Sequence, residues 1–319
     1  MKRMPRLLCI AYLVCFGASA QAQEKPPAWA YPVNPPDFKA PPDDGSARSV
    51  PGSSVTFTLT QVRDLFYAPD WHAADHPALP DVVARGRKPD VYACGFCHRA
   101  DGPGGPENAN LMGLPANYIK QQVADFKSGA RKSSVMDRAP MSLKVKLASA
   151  VSDDEVAAAA AYFSTLKPRA VIRVTETQSV PATVVAAWFL VPDRAGGTEP
   201  IGERIIEVAD DVERFVSRDT HVTFTAHVPT GSIQKGRELA GGKDGVTFAC
   251  ASCHGANLKG AGDVPGIAGK SPTYLFRQLY DYKHGVRAGP GSAAMLPSVQ
   301  KLTTSDMIAL AAYAGSLSP

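Results

Sequence analysis

The chain has 319 residues, with 34 Lys and Arg against 30 Asp and Glu and a formal net charge of +4. A length of roughly 300 residues after leader removal suggests about two domains. No basic block stands out, which excludes a nucleic-acid partner.

The chain opens with a basic stretch, Met1 to Arg6, and an apolar run from Leu7 to Ala18. Ala18-Ser19-Ala20 and Ala20-Gln21-Ala22 then offer overlapping cleavage sites, so residues 1–22 read as a signal peptide. That run is too short for a stable span, and no longer one follows, so no membrane span is expected after cleavage. Cys15 lacks the small preceding residue of a lipoprotein site, since Tyr12, Leu13 and Val14 stand before it. The expected address is the periplasm, as an exported soluble protein. Of the six Cys, Cys9 and Cys15 leave with the leader, and four remain. Loss of Lys2, Arg3 and Arg6 leaves 31 basic residues against 30 acidic ones.

Residues 23–81 are Pro-rich and read as an extended arm. Residues 82–167 contain Cys94-Gly95-Phe96-Cys97-His98, and residues 231–319 contain Cys250-Ala251-Ser252-Cys253-His254. In each, two thiols at this spacing can form thioethers to one haem, and the adjacent imidazole can ligate its iron. Zinc ribbons need no His there, and a thioredoxin motif needs a βαβ context that is missing. All four remaining Cys are used in this way. The expected cofactors are two covalent haem c groups with iron, and the expected activity is electron transfer.

The two segments are copies of one another. Aligning the motifs pairs Leu111-Met112-Gly113 with Ile267-Ala268-Gly269 and Tyr118-Ile119 with Tyr274-Leu275. The same alignment pairs 125–131, with its Lys-Ser-Gly-Ala-Arg, with 281–287, with its Lys-His-Gly-Val-Arg. An ordered repeat with one motif per copy predicts two homologous domains. Both read as helical: Pro115 to Phe126 and Pro272 to Tyr282 begin with Pro and end near Gly. Ser152-Asp153-Asp154-Glu155 and Thr304-Ser305-Asp306 precede apolar final helices. Between the copies, residues 168–230 are rich in Val, Ile and Thr, with strand-like runs at 171–175, 180–191, 205–208 and 221–228. This is expected to be a β-rich connector. The fold class expected is mainly α: two class I cytochrome c domains in tandem, with that insert and the N-terminal arm.

A transfer haem has its sixth position filled, usually by Met or His. Met295 lies 41 residues after His254 and is the expected second ligand, because Met307 sits in the final helical stripe. In the first copy Met141 lies 43 residues after His98 and Met136 lies 38 after it; the spacing favours Met141 over Met136. Met112, aligned with Ala268, reads as core. His72, His76, His221, His227 and His284 remain as conceivable distal ligands, though a lone His is more often a surface or hydrogen-bonded core group. A backbone carbonyl normally accepts the other imidazole N–H, and Pro265 fits that place, with Ala109 at the matching position. Arg131 and Arg287 are candidates to face haem propionates.

On these motifs, over residues 82–167 and 233–317, the chain resembles the dihaem class I cytochromes of the c4 type. The resemblance implies two His/Met haems, domains facing each other across a pseudo-twofold axis, and electron transfer between periplasmic or membrane-bound donors and oxidases. The long arm and the insert depart from it. Expected partners are a donor dehydrogenase or respiratory complex and an acceptor oxidase or reductase. The alternatives are a dihaem redox enzyme, peroxidase-like or sulfur-compound oxidising, and a dedicated cytochrome subunit of a dehydrogenase or respiratory complex.

Overall fold

A computed structural model describes residues 25–243 and 245–319; the leader reading of residues 1–22 lies outside them. The arm carries α1 (Leu59–Arg63), and α2 (Asp81–Ala84) precedes the first motif helix α3 (Cys94–His98). The first copy continues with α4 (Ala116–Ser128), α5 (Ala139–Ala150) and α6 (Asp153–Thr165). Next come β1 (Ile172–Thr177), β2 (Ser179–Pro181), β3 (Thr183–Ala186), β4 (Phe189–Pro192), β5 (Thr198–Pro200) and β6 (Ile206–Ala209), then α7 (Val212–Val216) and β7 (Phe224–Pro229). The second copy contains α8 (Ser232–Ala240), α9 (Ala251–His254), α10 (Pro272–Lys283), α11 (Leu296–Val299) and α12 (Thr304–Ser316). No helix among the described residues is long and apolar enough to cross a membrane.

Local chemistry fixes the long helices at matching places. Pro115 precedes α4, which stops at Gly129 in the left-handed conformation (φ 74°), where a Cβ would be penalised. Pro272 opens α10, and the Ser271 hydroxyl accepts from the Tyr274 N–H. Ser152 with Glu155, and Thr303 with Asp306, close reciprocal capping boxes on α6 and α12. Each satisfies two N–H groups that a helix start leaves unpaired.

The copies then differ in what packs on their last helices. In the second, α8 crosses α12 where Gly236 meets the Ala309 backbone; a Cβ there would collide with the Ala309 carbonyl. In the first, the equivalent α2 is a single turn. Val82 and Val83 join Met112, Ile119, Ala160 and Phe163 in that copy's core.

The arm corrects one expectation, because it is not extended throughout. Val50, Phe57, Leu59, Val62 and Trp71 bury one another in a small core of their own, with Phe57 edge-on to Trp71 at 4.6 Å. Ala30 and Tyr31 are buried in the second copy's core, and the Tyr31 hydroxyl donates to Asp281 at 2.8 Å. The arm holds several large apolar side chains, and burying them outweighs the stiffness that its prolines impose.

Within 168–230, β1 pairs parallel with β7, which pairs antiparallel with β6, Val174 lying opposite Ala226 and Ala226 opposite Glu207. Two small antiparallel pairs, β2 with β5 and β3 with β4, flank this sheet. Buried Glu207 reaches out to the second copy, accepting from the Ser271 hydroxyl at 2.7 Å and the Thr273 N–H at 3.1 Å. It thereby caps the start of α10.

The copies meet along a short seam. The Lys132 N–H donates to the Val286 carbonyl and the Ala288 N–H to the Ala130 carbonyl, both at 2.8 Å. Around it, Arg131 donates to Gln122 of its own copy and to Tyr274 and Gln278 of the other. Arg287 mirrors this, donating to Gln278 of its own copy and to Tyr118 and Gln122 of the other. The internal repeat has become a pseudo-symmetric interface.

Candidate haem sites

Each Cys-x-x-Cys-His run forms one helical turn, α3 in the first copy and, from Cys250 as N-cap, α9 in the second. One turn brings the Cys pair and the following His to the same short element. Immediately afterwards the chain bends through positive φ, at Arg99 (68°) and at Gly255 (74°). The glycine takes this conformation freely, whereas a residue with a Cβ pays about 2 kcal/mol. Arg99 is held there by burial: it donates to the Phe215 carbonyl at 3.3 Å and lies 5.0 Å over the Phe215 ring.

The imidazoles are oriented identically. His98 Nδ1 donates to the Ala109 carbonyl and His254 Nδ1 to the Pro265 carbonyl, each at 2.8 Å. A carbonyl can only accept, so Nδ1 carries the proton and Nε2 keeps a free lone pair, as a metal ligand requires. Burial, reinforced by the Lys144 charge, pushes His98 down to about 3. Burial lowers His254 as well. Both rings are therefore neutral at ordinary pH.

In the first copy these groups open onto a cavity of about 1070 Å³, counting the open space at its mouth. Cys94, Cys97 and His98 line it together with Leu114, Phe126 and Phe163. Burial raises the Cys94 thiol to about 12 and raises Cys97 as well. From α5, Leu143, Lys144, Leu147 and Ala148 complete the wall along one helical face, and Arg131 and Tyr274 reach it from the seam.

These residues fit a haem. The cavity wall is almost wholly apolar, which suits a porphyrin face. Arg131 and Arg287 are buried, yet neither has a carboxylate within ion-pair distance among the described residues. Two adjacent buried guanidinium groups without an anion are costly. Haem propionates would supply the missing charge.

The expected distal residues fall out differently. Met295 stands at the N-terminus of α11, half-buried, and packs against the same core cluster as Cys250. Met141 is in the first turn of α5 but does not line the first cavity. Met136 is 43% exposed, which takes it away from an enclosed iron. Met112 and Met307 are buried core residues. Four of the five histidines are engaged elsewhere: His72 pairs with Asp219 at 2.9 Å, His221 with Asp75 at 2.7 Å and His76 with Asp70 at 3.2 Å, and His284 Nδ1 bonds the Tyr280 carbonyl at 2.9 Å; His227 lies on β7 and does not line the first cavity. The cavity also holds Lys144, which no sequence motif marks and which makes no hydrogen bond or ion pair among the described residues. Burial lowers its ammonium to about 8.

The surroundings of the two motifs also differ. Over the first, Arg218 stacks 3.5 Å from the Phe96 ring and donates to the carbonyls of Phe96 and Val62, both at 2.8 Å. One side chain of the insert thus pins the motif to the arm. In the second copy Ala251, Ser252 and Cys253 are exposed, and Phe248 is 63% exposed.

Residues 233–318 match the family model described as cytochrome c. The chain is 26% identical over 263 residues to a protein named thiosulfate dehydrogenase electron acceptor from Stutzerimonas stutzeri, covering 82% of this chain and 94% of that one. It is 23% identical over 243 residues to cytochrome c4 of Azotobacter vinelandii, covering 75% and 89%. It is 35% identical over 80 residues to cytochrome c-554(548) of Halomonas halodenitrificans, covering 25% of this chain and 95% of that one. With the twin motifs and their oriented imidazoles, these likenesses establish that the chain belongs to the cytochrome c family and carries covalently bound haem c.

Proposed function

We propose that the protein carries single electrons between periplasmic redox partners through two haems, one in each copy. Cys94 and Cys97 hold the first by thioether bonds and Cys250 with Cys253 the second. His98 and His254 ligate the irons through Nε2, and Met295 Sδ is the distal ligand of the second. When bound, each haem supplies a one-electron iron(III)/iron(II) couple whose potential the ligands and burial tune. The protein's own part is positional. The Ala109 and Pro265 carbonyls fix the imidazoles, the apolar wall around Leu114, Phe126 and Phe163 keeps water out, and Arg131 and Arg287 balance propionate charge at the seam.

The observation that carries this reading is the repeated constellation of two thiols and a neutral imidazole whose Nδ1 is tied to a carbonyl. Building it twice, on either side of one seam, suits stepwise transfer between two centres. Potentiometric titration of the purified holoprotein tests it, with haem content measured on the same sample. Two haems per chain and two one-electron waves are expected. Carbon monoxide binding to the reduced native protein would instead favour the enzyme reading, because it requires an open iron position.

For the donor, the likeness to a protein named thiosulfate dehydrogenase electron acceptor supports a dehydrogenase acting on a small sulfur oxyanion. The acceptor would be an oxidase or reductase. The exposed second motif favours that copy as the site where a partner approaches. Stopped-flow reduction of the oxidised protein by a thiosulfate dehydrogenase with thiosulfate tests the donor. Absence of reduction on the second timescale would exclude that partner.

A further inference from the structure

We propose that Lys144, through Nζ, is the distal iron ligand of the first haem, so that the protein pairs a His/Lys site with a His/Met site. The proposal rests on the reading above that His98 ligates that iron.

The first support is register. Lys144 stands eight residues before the N-cap Ser152 of α6, as Met295 stands eight before the N-cap Thr303 of α12. Both caps are reciprocal capping boxes, so they are secure landmarks in the repeat. Counting forward from the motif histidines leads instead to Met141. That count does not hold one register, being 43 residues in the first copy and 41 in the second, whereas the count back from the caps is eight in both.

The second support is position. Lys144 lines the same cavity as Cys97 and His98, whereas Met141 does not. The third is the lack of any other employment. Lys144 has no acceptor among the described residues, and Leu143, Leu147 and Ala148 beside it are apolar. Leaving an ammonium group in such a place without a partner is unfavourable. Ligation removes the problem: the ammonium gives its proton to solvent, and the freed Nζ lone pair forms a dative bond to iron, with no change in oxidation state.

An amine is a harder donor than a thioether and favours iron(III). The first haem would then be the lower-potential centre, and electrons would run from the enclosed copy towards the exposed one.

The test uses the full-length holoprotein, with haem content confirmed by haemochrome assay. In the oxidised native protein, the near-infrared thioether-to-iron(III) band should have the intensity of one haem per chain. Met295→Ala should abolish it, whereas Met141→Ala and Met136→Ala should leave it unchanged. Lys144→Ala should convert only the first haem to a form that binds carbon monoxide when reduced. Lys144→Met should double the band and raise the lower of the two potentials. A native band worth two haems, or one halved by Met141→Ala, overturns the assignment even if Lys144→Ala fails to fold. A native chain holding a single haem overturns the underlying dihaem reading instead.

Discussion

In the first copy Gly95 and Phe96 are buried beneath Arg218 and the arm, while in the second copy Ala251, Ser252 and Cys253 face solvent. The imidazole geometry is the same in both, down to a 2.8 Å bond from Nδ1 to a carbonyl eleven residues on. What orients the imidazole therefore lies inside the repeated unit, and what encloses the motif comes from outside it. Arm and insert both act on the first copy's motif: Arg218 holds Val62 and Phe96 together, and Trp71 Nε1 donates to the Ser217 carbonyl at 2.8 Å. The repeated unit thus presents an enclosed motif in one copy and a solvent-facing motif in the other.

The sharpest way to break this comparison is to remove the haems one at a time. Cys94→Ser with Cys97→Ser should cost one haem per chain and most of the first copy's tertiary structure, because the emptied cavity lies within its core. Cys250→Ser with Cys253→Ser should cost one haem with a smaller loss of cooperativity. Haem content and thermal melts followed by circular dichroism on both variants check this; equal melts would show that enclosure does not distinguish the sites.

Next in size is Arg218→Ala, which removes two charge-assisted hydrogen bonds and a ring stack at once. A loss of about 3 kcal/mol is expected in chemical denaturation. Phe248→Ser in the exposed copy should stay within about 0.5 kcal/mol of the native protein. The capping boxes give a smaller and deliberately equal pair. Ser152→Ala and Thr303→Ala should each cost about 1 kcal/mol, since this feature belongs to the repeat and not to its surroundings.

The smallest effect is one of pH. Its bonds from Arg87 and then from the Ser152 N–H hold Glu155 down at about 2. Its contribution to stability is thus complete above the ordinary carboxylate range and disappears as the pH falls towards 2. Glu155→Gln should lower stability slightly at neutral pH, flatten the acid limb between about pH 5 and pH 2, and leave the stability near pH 2 unchanged. An unaltered acid limb would mean that Arg87, itself at the surface, contributes nothing there.

Much of the site was legible because it is written in local patterns. The two pentapeptides, the caps of α6 and α12 and the partner carbonyls of Ala109 and Pro265 each depend on short, fixed spacings. Lys144 was not, because a lysine on a helix normally reads as a solvated surface residue, and only the cavity shows that α5 turns it inward. Helix α7 was equally hidden: five residues after Asp211 are too few to show a period. The arm was misread from its prolines, because Phe57, Leu59, Val62 and Trp71 show their common purpose only once folded together.

Gln122 serves Arg131 and Arg287 together, and so does Gln278. A gene fragment encoding either copy alone would therefore strip its arginine of two acceptors and leave a glutamine with one donor fewer. The two glutamines thus act as common property of both copies, and a change at either is felt on both sides of the seam.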